Sequence, residues 1–309
     1  MLKMALPRRP KNALPKIPAG RGAAAFDRPF APRPKPASAA GPESIEVELL
    51  LLGLFRRYGY DFRSYDPSFL RPHIEQRARE EGVDSISRLS ERLLRDPAVL
   101  ERFLAQLSGG GPPLFSPSSF WRSLRTHAVP YLRTYPTVRL WALEARPEEL
   151  CSLAILADED LPRNVRIYAT RMHETLVEGI RTCTLDPESV RKAAREYRRS
   201  GGRRRLADFF ETADGAAALA PALRRRITFA SYNPVTDGPF QHFHAILARG
   251  LLRPFDRELR GKTCRLLHES LIPLGFLALG PRGALEESPF REAYRELDRA
   301  AGLYQKIRE

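Results

Sequence analysis

Cysteine, methionine and tryptophan are scarce in this chain of 309 residues, which holds three Cys, three Met and two Trp. The thiols Cys151, Cys183 and Cys264 are odd in number and far apart. That argues against a disulfide framework and suits a reducing compartment, and no CxxC spacing points to zinc. Long apolar runs are also missing. The longest, Val47 to Phe55, is broken by Glu48 and Gly53, so nothing reads as a membrane span. The N-terminus lacks the apolar core of a secretion signal, and a cytoplasmic protein is expected. What remains is a 43% hydrophobic composition, enough for a sizeable core in one large domain or two modest ones.

Acid is nearly absent from the first 42 residues. They hold nine Lys and Arg against Asp27 alone, together with nine prolines, and so carry +8 of the chain's net +14. Such a segment buries too little apolar surface to offset its ordering entropy. Residues 1–43 therefore read as a disordered basic tail, either a solubilising leader or a tether to an acidic surface. Phe26 and Phe30, on either side of Arg28, are its only aromatics, too few for the interleaving that single-strand binders need, so a nucleic-acid partner is not expected.

Residues 44–110 read as helical. Ile45, Leu49, Leu52 and Phe55 follow helix spacing, and Gly59 ends that segment. Asp66-Pro67 starts a second helix running toward Gly82, with Pro72 expected to kink it. Two short helices follow, near Ser87–Arg95 and Pro97–Leu107. The glycine- and proline-rich stretch Ser108 to Ser119 is a joint, and Trp121 to Leu132 is a helix. Short apolar runs then alternate with helical patterns. The strand candidates are Val138–Leu143, Val165–Thr170, Ile227–Ser231, Ala245–Ala248 and Phe276–Leu279. The helices between them are Glu148–Ala157, Arg171–Arg181, Pro187–Arg199 and Asp256–Leu271. Residues 111–309 thus predict an α/β domain with a mostly parallel sheet covered on both faces.

Several strings occur in the order of a known family. YGYDFRSYDPSFL (58–70), VRLWALEARPEELCSLAIL (138–156), VRIYATRM (165–172), ITFASYNPVTDGPFQHFHAILARGLLRPFD (227–256) and LIPLGFLALGPRGAL (271–285) together resemble the CheR chemoreceptor glutamate methyltransferases. The likeness covers about residues 45–290. It implies a class I methyltransferase-like, Rossmann-like α/β fold with an all-helical N-terminal domain. It also implies S-adenosylmethionine as methyl donor and chemoreceptor glutamates as acceptors.

The departures from that family fall on the chemistry. Its loop after the first strand carries two glycines, which let backbone amides approach the cofactor. Here Glu144 and Pro147 stand at those places, while Glu148 and Glu149 survive. The acid that accepts from the ribose hydroxyls is Arg171, which has no acceptor. The family's first-motif arginine is Ser116. Of the polar residues in its RNVLIY string only Arg249 remains, with Gly250 for the asparagine and Pro254 for the tyrosine, and His244 replaces the acid of its "FD" pair. Asn233 keeps the family's asparagine. One lost hydrogen bond costs about 1–3 kcal/mol, and several together weaken binding by roughly 10³-fold. Methyl transfer to a carboxylate rests on positioning, since the carboxylate is already the nucleophile. The expectation is a pseudo-methyltransferase with weak or no S-adenosylmethionine binding, acting as an interaction or regulatory module in a chemosensory-type pathway with a protein partner. An active protein-glutamate methyltransferase using S-adenosylmethionine and a binder of an anionic nucleotide stay open as alternatives.

The remaining candidates are charges. On the second helix Arg71, Arg77 and Arg79 keep part of the family's basic receptor-docking face. Arg198, Arg199, Arg203, Arg204 and Arg205 form a run that either clamps phosphates or is a solvated helix end. The reading of Glu144 and Arg171 that needs no ligand is an ion pair across the emptied site. His242 and His244 lack a third ligand and are expected in a surface turn rather than on a metal. The segment Asp208–Arg226 has few β-branched residues, so no sheet is expected there.

Overall fold

The computed structural model describes residues 41–107, 112–172, 174–213, 215–234, 236–280, 285 and 288–308. The tail reading for residues 1–43 lies almost wholly outside them, as does part of the joint at 108–119. Glu43–Glu309 form one compact unit.

Four helices come first: α1 (Pro42–Tyr58), α2 (Pro67–Glu80), α3 (Ile86–Arg95) and α4 (Pro97–Leu107). Asp66 caps α2 by accepting from the Ser68 N–H at 2.8 Å, and Ser85 caps α3. α2 continues through Pro72 to Glu80 without interruption. The helices pack around Leu54, Ile74, Leu89, Leu93 and Phe103, all fully buried. α1 is helical as its spacing predicts, but its buried face is Leu50, Leu51 and Leu54. The stripe of Ile45, Leu49 and Leu52, which carries the helix spacing read from the sequence, is exposed. Two apolar stripes share this helix, and periodicity alone does not say which one meets the core.

A continuous helical stretch follows: α5 (Ser118–Ser123), a π-helical turn at Leu124–Ala128 and α6 (Val129–Leu132). The chain then alternates through β1 (Val138–Leu143), α7 (Pro147–Asp160), β2 (Val165–Arg171), α8 (Glu174–Arg181), β3 (Thr184–Leu185) and α9 (Pro187–Arg199). β4 (Phe210–Ala213), β5 (Ala216–Leu219), α10 (Pro221–Arg224), β6 (Ile227–Ser231), β7 (Phe243–Leu247), α11 (Arg257–Glu269) and β8 (Leu271–Ala278) come next. β9 (Tyr294–Asp298) and β10 (Leu303–Lys306) complete the fold. Arg171, read from sequence as the start of a helix, is the last residue of β2.

Seven strands form the main sheet in the order β6-β2-β1-β7-β8-β10-β9. All are parallel except β10, which runs against both β8 and β9. Side chains alternate across this sheet. Leu140 and Ala142 face the core under α7, while Trp141 and Leu143 face the core under α11. The order reverses between β1 and β7, so a crevice opens beyond their carboxyl ends, where open α/β sheets place ligands.

A second sheet corrects the reading of Asp208–Arg226. β3, β5 and β4 form three antiparallel strands, with Gly215 at φ +74° in the β4–β5 turn. Ala217 and Leu219 alternate inward and bury themselves. A tight hairpin over an apolar helix face needs no β-branched residues. His244 also differs from its reading. It sits in β7, buried, and its Nδ1 accepts from the Arg139 N–H at 3.1 Å. No cluster of metal-binding side chains occurs among the described residues.

Candidate functional site

The crevice is built from strand ends. At the carboxyl end of β1 the chain turns at Glu144, whose φ is +54° and whose N–H donates to the Thr170 carbonyl on β2. A residue with a side chain pays a steric penalty in this left-handed region, where glycine does not. The turn aims the Glu144 side chain across the end of β2. There its Oε2 lies 3.1 Å from Nε of Arg171, which is 5% exposed. Arg171 also donates to the Ala145 carbonyl at 3.2 Å. The ion pair expected from the sequence is therefore formed across the mouth of the crevice.

A second pair closes the adjoining side. Arg249, just past β7, reaches Glu149 of α7 at 3.5 Å, lies 4.1 Å over the Phe120 ring and donates to the Ser116 carbonyl. Burial pushes the carboxyls of Glu144 and Glu149 up, while the facing arginines Arg171 and Arg249 pull them down. Burial and the neighbouring Arg171 lower the guanidinium pKa of Arg146.

The space left is a cavity of about 130 Å³. Of the predicted site residues, Glu144, Arg171, Arg249, Gly250 and Pro254 line it. Ser116 touches it only through Arg249. Pro147 and Glu148 open α7, with Glu148 as the helix-start acid the dipole favours. Asn233 lies past β6, its N–H donating to Asp237 at 2.8 Å, and does not line the cavity.

The helical part supplies what sequence reasoning missed. Phe62, Tyr65 and Leu104 wall the cavity. They arrive through a bridge between Tyr65 and Phe255, with the Asp66 N–H on the Pro254 carbonyl at 2.8 Å and the Asp256 N–H on the Ser64 carbonyl at 2.9 Å. Burial and the charge of Glu144 raise the Tyr65 hydroxyl far above its usual range.

As it stands this cavity is small for S-adenosylmethionine. Sites for ligands of that size measure roughly 300–1,000 Å³, well above this cavity. Arg171 offers only donors where a ribose diol needs an acceptor.

The other sequence candidates disperse. Arg77 is buried and tied to Gln106, the Arg102 carbonyl and Glu81, so it is not a surface docking residue. Arg71 pairs with Glu43 and Glu75, and Arg79 is exposed. In the basic run, Arg199 pairs with Glu196, Arg203 with Asp160 and Arg204 with Asp158. Arg198 and Arg205 line a separate groove beside α9. All three cysteines are buried free thiols, and among the described residues no helix is long and apolar enough to cross a membrane.

Comparison with known proteins gives two family matches. Residues 45–108 match the CheR methyltransferase all-alpha domain, and residues 117–300 match the CheR methyltransferase SAM binding domain. A Pseudomonas putida protein named "Putative methyltransferase Cher3" is 30% identical over 264 residues, spanning 85% of this chain and 97% of that one. The Pseudomonas putida "Chemotaxis protein methyltransferase Cher2" is 22% identical, over 68% of this chain and 79% of that one. Among solved structures, an O-methyltransferase family 2 protein from Planctomyces limnophilus is 13% identical over 72% of this chain and 69% of that one. Its TM-score of 0.29 is too low to bear on the site.

Proposed function

Because this chain belongs to the CheR methyltransferase family, we propose that it is a member whose cofactor crevice has been rebuilt as an internal ion-pair cluster. In this reading it binds no S-adenosylmethionine and works as a non-catalytic interaction module of a chemosensory-type pathway. The observation that carries the reading is the Glu144–Arg171 pair at 3.1 Å, set where a donor would lie. Its charges balance in pairs. The acid that replaces a glycine neutralises the arginine that replaces the ribose acceptor, and Arg249 is held by Glu149. With no room to position donor against acceptor, the family's reaction loses its main source of rate.

The partner in this reading is a protein with an acidic surface, met by the basic residues 1–42. Transfer of labelled methyl from S-adenosylmethionine to a chemoreceptor fragment tests the catalytic half, with no incorporation above a no-enzyme control as the expected outcome. Stoichiometric incorporation would return the protein to the active members of its family. Capture of chemosensory proteins from lysate, with and without residues 1–42, tests the other half. Capture that requires the basic segment supports the module reading, and capture of none counts against it.

A further inference from the structure

Seven large apolar side chains are exposed among the described residues, and three of them lie on one face of α1. Ile45, Leu49 and Leu52 are 50%, 60% and 40% exposed. Their spacing continues to Arg56, giving steps of four, three and four residues, the seam of a coiled coil. The opposite face of α1, at Leu50, Leu51 and Leu54, is already spent on the helical core. An amphipathic helix with a second apolar seam facing outward asks for a second partner.

We propose that this seam is a dimer surface, in which two copies of this chain pair their α1 helices antiparallel across Ile45, Leu49 and Leu52. Charge selects both the occupant and its direction. The acids of α1 lie in its first half and Arg56 and Arg57 at its end. Glu43 is held by Arg71, and Glu46 by the Ser87 hydroxyl, which leaves exposed Glu48 beside the seam. Neither Glu48 nor Arg56 has an ion pair or side-chain hydrogen bond among the described residues.

Antiparallel pairing sets Leu49 of each copy against Leu52 of the other. It brings Arg56 within about one helical turn of Glu48 of the other copy, twice per dimer. Parallel pairing would instead set Arg56 on Arg56 across the seam and place Glu48 beside Gly53 of the other copy, with no opposite charge to meet. The surface is self-complementary about a two-fold axis, as an isologous interface must be. The seam from Ile45 to Arg56 is only about 17 Å long. It buries well under the roughly 800 Å² per partner of a stable complex, so the dimer is weak, with a Kd in the micromolar range.

Sedimentation equilibrium of the full chain from about 1 to 200 µM tests this, with circular dichroism confirming that each variant is folded. A monomer–dimer equilibrium is expected. Leu49→Glu and Leu52→Glu each raise Kd at least about tenfold. Glu48→Arg alone and Arg56→Glu alone also weaken it, and the double swap E48R/R56E restores it to within about threefold, because the crossed pairs re-form with reversed sign. A chain monomeric throughout, a dimer untouched by Leu49→Glu, a charge swap that does not restore, or flotation of α1 on anionic vesicles in place of dimerisation would each overturn the proposal. None of these readouts depends on whether a cofactor binds.

Discussion

Glu144→Gln isolates the interaction on which the account of the crevice depends. The substitution keeps the side-chain shape and one carbonyl acceptor but removes the charge that faces Arg171. Breaking a fully buried ion pair costs about 3–5 kcal/mol. Here the Arg171 side chain is 5% exposed and that of Glu144 20%, and Arg171 keeps its bond to the Ala145 carbonyl. Burial raises the Glu144 carboxyl above its usual range, so Gln is spared a desolvation cost that the carboxylate carries, and the expected loss is only about 1 kcal/mol. For a folded unit of this size that lowers Tm by about 2–4 °C. Glu144→Gly loses the same pair but relieves a side chain held at φ +54°, and should cost about 1 kcal/mol less. Arg171→Met and the double variant E144Q/R171M complete a cycle by urea denaturation. A coupling energy of about 1.5 kcal/mol is expected. If the two single losses add to within about 0.5 kcal/mol, the groups do not stabilise one another and the reasoning is wrong.

Three further outcomes follow from the same structure. Burial raises the Glu144 and Glu149 carboxyls above their usual 4.5, so the native state holds these protons more tightly than the unfolded chain. That contribution is complete below pH 4.5 and is lost as pH rises through the raised values. Chemical denaturation across pH should show a flatter profile above 4.5 for Glu149→Gln than for the parent, and an unchanged slope would contradict the assignment. Glu159 behaves oppositely. Burial raises it, but hydrogen bonds from the Tyr197 hydroxyl and Arg125 outweigh that and hold it low, so its contribution is lost as pH falls below 4.5. Glu159→Gln should cost about 3 kcal/mol at neutral pH, and a loss below about 1 kcal/mol would show the network to be dispensable. Gly302 turns between β9 and β10 at φ +59°, where a Cβ would stand 1.7 Å from the Gly280 carbonyl oxygen. Gly302→Ala should cost at least about 3 kcal/mol or prevent folding, and a Tm within about 2 °C of the parent would refute the close approach.

The central sheet was legible because its strands are short apolar runs broken by capped helices. Asp66, Asp186 and Asp256 each accept from a backbone N–H at the start of a helix, and each can be read in the sequence. β9 and β10 were not legible. YRELD and LYQK are largely polar and gain their burial only by pairing beside β8. The hairpin of β4 and β5 was missed because its alanine-rich strands take their stability from α9, which a local propensity does not see. On α1 the period identified the helix but not which face meets the core, since both stripes are apolar. At the site, Glu144 and Arg171 stood out as departures from a family pattern at two strand ends. The aromatic wall of Phe62 and Tyr65 did not, because a bridge to Phe255 brings it from far away in the chain.

The central claim is that Glu144, Arg171 and Arg249 occupy the donor's place. Isothermal titration calorimetry of the full chain with S-adenosylmethionine and with S-adenosylhomocysteine tests it most directly. The account predicts no saturable heat with either ligand, corresponding to a Kd weaker than about 1 mM. Saturable binding at micromolar Kd by the unaltered chain would contradict it.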